Sequence, residues 1–292
     1  MVEAALLEQI NQAHGTSFRL VRRYVGGEQG AYALTDAAGD AFALKVNPDP
    51  VLVARLRLAQ AITNRLRDRG YPSPRYVLVG TTATTSYAIQ TALPGEPLHH
   101  LAPQQLPTVL TLNALQANQA PSGPRDWPAP VATPTLAGGA GFCLLEPMQA
   151  YSAQTAALLT RLQAVVRAYA NLALPQDDIV HFDFTPRNML AEGGTISGVI
   201  DWDGACAGDR AFDLATLLFY SHGIPEVTAA LEDALQAVAV PGAIALYLAH
   251  LAHRQVDWSI RHHDTTTVAH WVARAWHCLR RYAHPTVSEE VP

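Results

Sequence analysis

The sequence predicts an α+β protein in two lobes. A small five-stranded antiparallel sheet with one packed helix fills residues 1–95, and a mainly helical lobe fills residues 96–292. Three observations carry that reading. Before residue 92 the apolar residues fall in five short strand-like runs separated by turn residues. Beyond residue 100 they fall in long runs of helical period. Between them, Ala92-Leu93-Pro94-Gly95-Glu96-Pro97 is a turn-rich junction, read as a hinge.

Residues 3–13 read as a leading helix. Strands follow at 18–24, 31–35 and 41–46, the first two separated by Val25-Gly26-Gly27-Glu28-Gln29-Gly30. A helix at 51–69 carries Leu52, Leu56, Ala59, Ile62 and Leu66 on one side and five arginines outside, and it stops at Gly70. Strands at 75–79 and 86–91 complete the sheet. In the second lobe, helices are expected at 104–119 and 153–172, then at 213–222, 227–238, 244–263 and 267–282. Residues 120–141, rich in Pro, Gly and Ala with Trp127 as the one large anchor, read as an irregular loop, either a mobile insertion beside the cleft or a plain surface loop. Met189–Ala191 and Ile196–Ile200 read as a hairpin closed by Gly193-Gly194.

Composition narrows the function. At 49% hydrophobic and 15% charged the chain is globular, and a formal charge of −5 argues against a nucleic-acid binder that lives on counterion release. Cys143, Cys206 and Cys278 are far apart and odd in number, which fits a reducing compartment. Residues 4–10 are too short and too acidic for a secretory h-region, and no apolar run reaches a membrane span. The expectation is a soluble cytoplasmic protein with a small-molecule partner and no evident obligate protein partner. The chain also has nineteen arginines and a single lysine, Lys45, placed in an apolar strand.

The chemistry concentrates in residues 179–203, IVHFDFTPRNMLAEGGTISGVIDWD. His181-x-Asp183 with Asn188 five residues beyond the Asp is the arrangement of a kinase catalytic loop, and Asp201 falls where a metal-holding carboxylate would come. The hairpin between them brings Asn188, at its entry, close to Asp201, at its exit. A loop Asp, an Asn and a strand-end Asp converging this way form a magnesium and phosphate site. The turn holding Gly27, Gln29 and Gly30 is either a phosphate-approaching loop or an ordinary hairpin turn. Lys45 on the third strand would set a cation over nucleotide phosphates. Backbone groups from Gln90 to Ala92 are the place for a base edge. His250, His253, His262 and His263 lack the partners of a zinc site.

These segments together, AFALKV, RGYPSPR, HFDFTPRN and IDWDGACAGDRAFDLA, resemble the aminoglycoside phosphotransferase family of small-molecule kinases, whose relatives include choline and homoserine kinases. The resemblance runs from about residue 18 to 282. It implies a protein-kinase-like fold, ATP (with GTP as the other candidate) and Mg2+. By position, Asp183 resembles the catalytic aspartate, Asn188 and Asp201 the magnesium ligands, and Lys45 the nucleotide lysine. Asp213 resembles the buried aspartate that supports the catalytic loop. His181 is expected as a packed loop residue, and Asp203 either as a support behind the metal ligands or as a ligand of a second metal. Arg187 would pair with phosphate or with a carboxylate. One departure stands out: no carboxylate lies between Pro50 and Arg67, where the family's helix glutamate would hold the lysine. Gln60, Asp49 and Glu28 are the stand-ins.

From Asp201 onward eleven carboxylates stand against six arginines. Asp209, Glu226, Asp257 and Asp264, with Trp258, are candidates for a cationic acceptor's pocket, either an aminoglycoside or a basic peptide. A metabolic or biosynthetic acceptor (choline, homoserine, methylthioribose or a sugar-like hydroxyl) is the alternative. A catalytically inactive kinase-like binding protein is the alternative of another class.

Overall fold

The computed structural model describes residues 2–24, 30–123, 126–221 and 223–283. The chain forms two compact units, one of residues 1–98 with 188–205 and one of residues 99–187 with 206–292. The first break, after residue 98, lies three residues past the expected lobe boundary at 95. The division itself is not contiguous, because residues 188–205 return to the first unit.

In the first unit, helix α1 (Val2–His14) precedes five strands: β1 (Arg19–Arg23), β2 (Ala31–Thr35), β3 (Ala41–Asn47), β4 (Tyr76–Thr81) and β5 (Ser86–Thr91). They make one antiparallel sheet in the order β1-β2-β3-β5-β4. Alternation along β3 and its neighbours sorts the faces. Phe42 and Leu44 join Leu34, Ile89, Leu7, Ile10 and Phe18 in one apolar core, so α1 covers that face. Ala43 and Lys45 point the other way. Helix α2 (Val53–Arg67) buries Leu56, Ala59, Ile62 and Leu66, the stripe expected from its period, and packs on β4 and β5. The edge strand β1 is exposed along its length and carries three arginines, which discourages a further strand from pairing there.

The later segment joins this unit through backbone pairing. β6 (Glu96–Pro97) pairs with β8 (Met189–Glu192), β8 pairs with β9 (Thr195–Val199), and the Val199 N–H donates to the Pro72 carbonyl at 2.8 Å.

The second unit is built on α9 (Ala243–His262), buried around almost its whole circumference. Packed on it are α4 (Ala129–Ala137), α5 (Leu145–Tyr151), α6 (Ala153–Tyr169), α7 (Ala211–Tyr220) and α10 (Thr265–Tyr282). Helices α3 (Leu106–Leu115) and α8 (Pro225–Val238) complete the helical set, and β7 (Asp178–Val180) pairs with β10 (Cys206–Gly208).

The irregular loop expected at 120–141 is corrected here, since α4 lies within it. The signal was present in the sequence: Pro130 stands in the first helical turn and Gly138 ends the helix with φ 86°. Composition masked it. Trp127 is 2% exposed and forms the unit's aromatic centre, its ring edge-on to Phe212 and Tyr247 and its Nε1–H donating to the Tyr247 hydroxyl at 3.1 Å. No described helix is long and apolar enough to cross a membrane.

Candidate functional site

The functional residues fall into two constellations, one in each unit. In the first unit, β8 and β9 form the hairpin read from the sequence, and the Ile200 N–H donates to the Asn188 carbonyl at 2.9 Å, setting the residue before Asp201 against Asn188. Asp201 then takes the left-handed conformation, φ 67° and ψ 58°, which Asp tolerates better than most residues. Trp202 is fully buried, with its Nε1–H on the Val199 carbonyl at 2.9 Å and its ring edge-on to Tyr71. This apolar anchor fixes the segment between the two carboxylates that flank it.

Both of those carboxylates hold Lys45. Its Nζ donates to Asp201 Oδ1 at 2.7 Å and to Asp203 Oδ2 at 2.5 Å, while the Tyr76 hydroxyl donates to Asp203 Oδ1 at 3.3 Å. Burial works against the ammonium, but the two carboxylates outweigh it and hold the lysine pKa above its ordinary value. The stand-ins expected from the sequence are engaged elsewhere. Gln60 donates to the Tyr76 carbonyl at 3.1 Å, Asp49 accepts the Val51 N–H at 2.9 Å as a helix cap, and Glu28 lies outside the described residues. Lys45 is therefore oriented by the carboxylates after β9, not by a group on α2. A cavity of about 190 Å³ beside it is lined by Asn47, Leu52, Arg55 and Asp203.

Of the other nucleotide candidates, Gly27 and Gln29 lie outside the described residues, and Gly30 adopts φ 70°. The Thr91 N–H donates to the Arg75 carbonyl at 2.9 Å and the Ala92 N–H to the Ala41 carbonyl at 3.0 Å, so a base edge placed there would meet amide protons already bonded. Gln90 is buried, with no partner at its side-chain oxygen among the described residues.

In the second unit, the segment after β7 is clamped from two sides. Asp213, fully buried in the first turn of α7, accepts the His181 N–H at 2.8 Å, the Phe182 N–H at 3.1 Å and the Gln116 amide at 2.7 Å. Burial pushes its pKa up to about 7 against those donors. Phe182 has φ 72°, a conformation costing a bulky residue about 1–3 kcal/mol. The two clamps and a stacked contact with Phe212, ring centroids 5.0 Å apart, offset that strain. The kink delivers Asp183, whose side chain is 39% exposed. His181 is buried, and its Nδ1 accepts the Asp183 N–H at 3.3 Å, which makes it a packed loop residue. Arg187 is exposed on the 3-10 turn Pro186–Asn188.

Sequence reasoning missed Arg254. From α9, its Nη1–H donates to the Phe182 carbonyl at 2.9 Å and its Nη2–H to Asp183 Oδ1. Burial opposes the charge, yet Asp183 more than compensates and raises the arginine's pKa. The acceptor candidates sit among local partners. Asp209 is buried and accepts from the Tyr247 hydroxyl at 2.7 Å and the Ala211 N–H at 2.9 Å. Asp257 is buried in a two-point pair with Arg261. Asp264 caps α10 through the Thr267 N–H, Glu226 is exposed in the first turn of α8, and Trp258 stacks on His262.

A family model described as the phosphotransferase enzyme family matches residues 21–274. The chain belongs to that family. Among curated proteins, hygromycin-B 4-O-kinase of Escherichia coli is 32% identical over 85 residues, which cover 27% of this phosphotransferase and 25% of the relative. The match thus spans a quarter of the relative's length. Among solved structures, a thermostable mutant of aminoglycoside phosphotransferase APH(4)-Ia in ternary complex with ADP and hygromycin B superposes with a TM-score of 0.67. It is 18% identical, with 94% of this chain and 97% of that one covered. Amicoumacin kinase hAmiN, in complex with AMP-PNP, Ca2+ and Ami, gives 0.65 at 15% identity, covering 95% and 94%. The fold is the two-lobed α+β fold of these kinases.

Proposed function

We propose that this phosphotransferase uses ATP and magnesium to transfer a γ-phosphoryl group to a hydroxyl of a cationic antibiotic, an aminoglycoside or a basic peptide, in the cytoplasm. The observation that carries the chemistry is the clamped Asp183. A carboxylate on a strained kink, held by a buried acid and an arginine, is the group that would accept the acceptor's hydroxyl proton. As the hydroxyl oxygen bonds to the γ-phosphorus, the bond from that phosphorus to the ADP oxygen breaks. The proton passes to Asp183, and ADP leaves with the electron pair. Lys45 offsets charge on the nucleotide side.

The donor set fits magnesium. Asn188 and Asp201 offer hard oxygen ligands on one hairpin, and the Asp201 side chain is 49% exposed. Bound there, the ion would supply charge neutralisation on the phosphates. Lys45 would then share Asp201 with it, while Asp203, held on its other oxygen by Tyr76, keeps the lysine in place.

The cationic acceptor rests on the excess of carboxylates after Asp201 and on the antibiotics in the relatives' names. A metabolic acceptor is the second reading. It is favoured by the burial of Asp209 and the pairing of Asp257 with Arg261, which withdraw two of those acids. Magnesium-dependent ADP release from ATP and GTP, against aminoglycosides, cyclic basic peptides, macrolides, choline, homoserine and methylthioribose, separates the two. Turnover with a polycationic antibiotic, lost in Asp183→Asn, is the expected result. Turnover of a metabolite alone would keep the kinase chemistry and overturn the antibiotic reading, and full activity of Asp183→Asn would overturn the role of Asp183.

A further inference from the structure

We propose that Arg254 is a positioning residue for phosphoryl transfer, locking the proton-accepting carboxylate and the strained backbone beneath it with a single guanidinium; the inference rests on the role proposed above for Asp183. Three observations carry it. Its two terminal nitrogens engage consecutive residues, the Phe182 carbonyl at 2.9 Å and the Asp183 carboxylate. Its side chain is 18% exposed and rises from α9, the helix on which its unit is built. On the opposite side, Asp213 holds the N–H groups of His181 and Phe182, so an acid grips the donors of the kink and a base grips its acceptors.

The chemistry of the fork matters. A guanidinium is planar, always charged, and able to bond two acceptors at a fixed separation, whereas an ammonium is a point charge. Arg254 takes one oxygen of Asp183 and so fixes the plane of the carboxylate. It fixes the αL turn at the same time, because the carbonyl it binds belongs to the residue with φ 72°. Without it the carboxylate loses its charged partner, and a misplacement of about 1 Å at a reacting group costs on the order of 100-fold in rate. Asp183 is the carboxylate partner of Arg254 among the described residues.

The test uses ADP release from magnesium-ATP, with water and with hygromycin B as acceptors, in Arg254→Met, Arg254→Lys, Arg254→Ala and Asp183→Asn. The expected result for Arg254→Met is a kcat lower by about 100-fold, with the Kd for AMP-PNP within threefold. Arg254→Lys, which keeps the charge, falls at least about tenfold because it cannot fork. Millimolar guanidinium restores part of the activity of Arg254→Ala, and ethylammonium at the same concentration does not. A purely structural arginine would show neither that selectivity nor the split between kcat and nucleotide binding. Should Arg254→Met not fold, a folded Arg254→Lys with wild-type kcat overturns the proposal by itself. If Asp183→Asn keeps full activity, the reading of Asp183 fails first and takes this inference with it. If Asp183→Asn is inactive while Arg254→Met retains its kcat, only the inference fails. Hydrogen exchange of residues 178–189 supplies a readout that needs no acceptor. Faster exchange in Arg254→Met is expected, and unchanged protection would overturn the clamp.

Discussion

Replacing Asp213 with Ala removes the acceptor of three donors at once: the N–H groups of His181 and Phe182 and the side-chain amide of Gln116. The site is fully buried, so water cannot take its place without opening the unit. At about 1–3 kcal/mol for each buried donor left unsatisfied, the gross cost is roughly 3–9 kcal/mol. The buried carboxylate is itself disfavoured, as its raised pKa records, and losing it returns part of that cost. A net loss of about 3–5 kcal/mol is expected, in the range seen when one member of a buried polar pair is deleted. Against a typical stability of about 5–15 kcal/mol that is a large fraction. At about 2–4 °C per kcal/mol for a chain of this order, thermal unfolding followed by circular dichroism would fall by roughly 6–20 °C. Asp213→Asn keeps one acceptor oxygen but turns an NH2 toward the donors, so it should fall between the variant and the wild type. Turnover should drop in both, since Phe182 loses one of its two clamps. A Tm within about 2 °C of wild type together with unchanged kcat would refute the reasoning.

Four further outcomes can be measured. Asp203→Asn should raise the KM for ATP by about tenfold while magnesium dependence persists, and Asp201→Asn should weaken magnesium-nucleotide binding itself; isothermal titration with AMP-PNP at varied magnesium checks both. Burial holds the pKa of His250 down to about 3, below the roughly 6.5 of an unfolded chain. The unfolded state therefore binds a proton that the folded ring refuses. Stability from this group is fully present above pH 6.5 and is lost as pH falls toward 3, by up to about 1.4 kcal/mol per pH unit. His250→Asn, whose amide can still donate to the Val131 carbonyl, should flatten that slope in urea denaturation between pH 6 and pH 4, and an unchanged slope would count against it. Trp127→Ala should cost about 3–5 kcal/mol, because it empties the aromatic centre and strips the Tyr247 hydroxyl of a donor. A loss below 1 kcal/mol in chemical denaturation would return Trp127 to the status of a surface anchor.

What the sequence made legible was local. The spacing from His181 to Asn188, the glycine turn of the hairpin and the Phe212-Asp213-Leu214 helix start each declare themselves within a few residues, and period alone sorts Phe42 and Leu44 from Lys45. What stayed hidden was contact across long separations. Arg254 lies 71 residues from Asp183 and looks like any charged residue on an amphipathic helix. The partners of Lys45 lie 156 and 158 residues away, far beyond the stand-ins Gln60, Asp49 and Glu28 that lie near it in sequence. Asp209 and Asp257 read as acids open to a cation, but the residues around them in sequence do not reveal that a tyrosine and an arginine already occupy them. Helix α4 was lost to composition, because Pro and Gly at its ends were counted as loop residues and not as start and stop signals.

The pairing of Lys45 also sets an order of events at the ribosome. The lysine is synthesised 156 residues before Asp201. At about 5–20 residues per second, roughly 8–30 s pass before its counter-charges exist. In that interval the strand carrying it can join the sheet, but its ammonium lacks both carboxylates and so gains nothing from leaving water. Residues 99–187, which belong to the other unit, are made in between. Neither unit can close on a finished stretch of chain, and each needs a segment from the far side of its neighbour. A fragment ending at residue 98 would carry the five strands without either charge that holds the lysine, so the sheet is not a module that truncation can release.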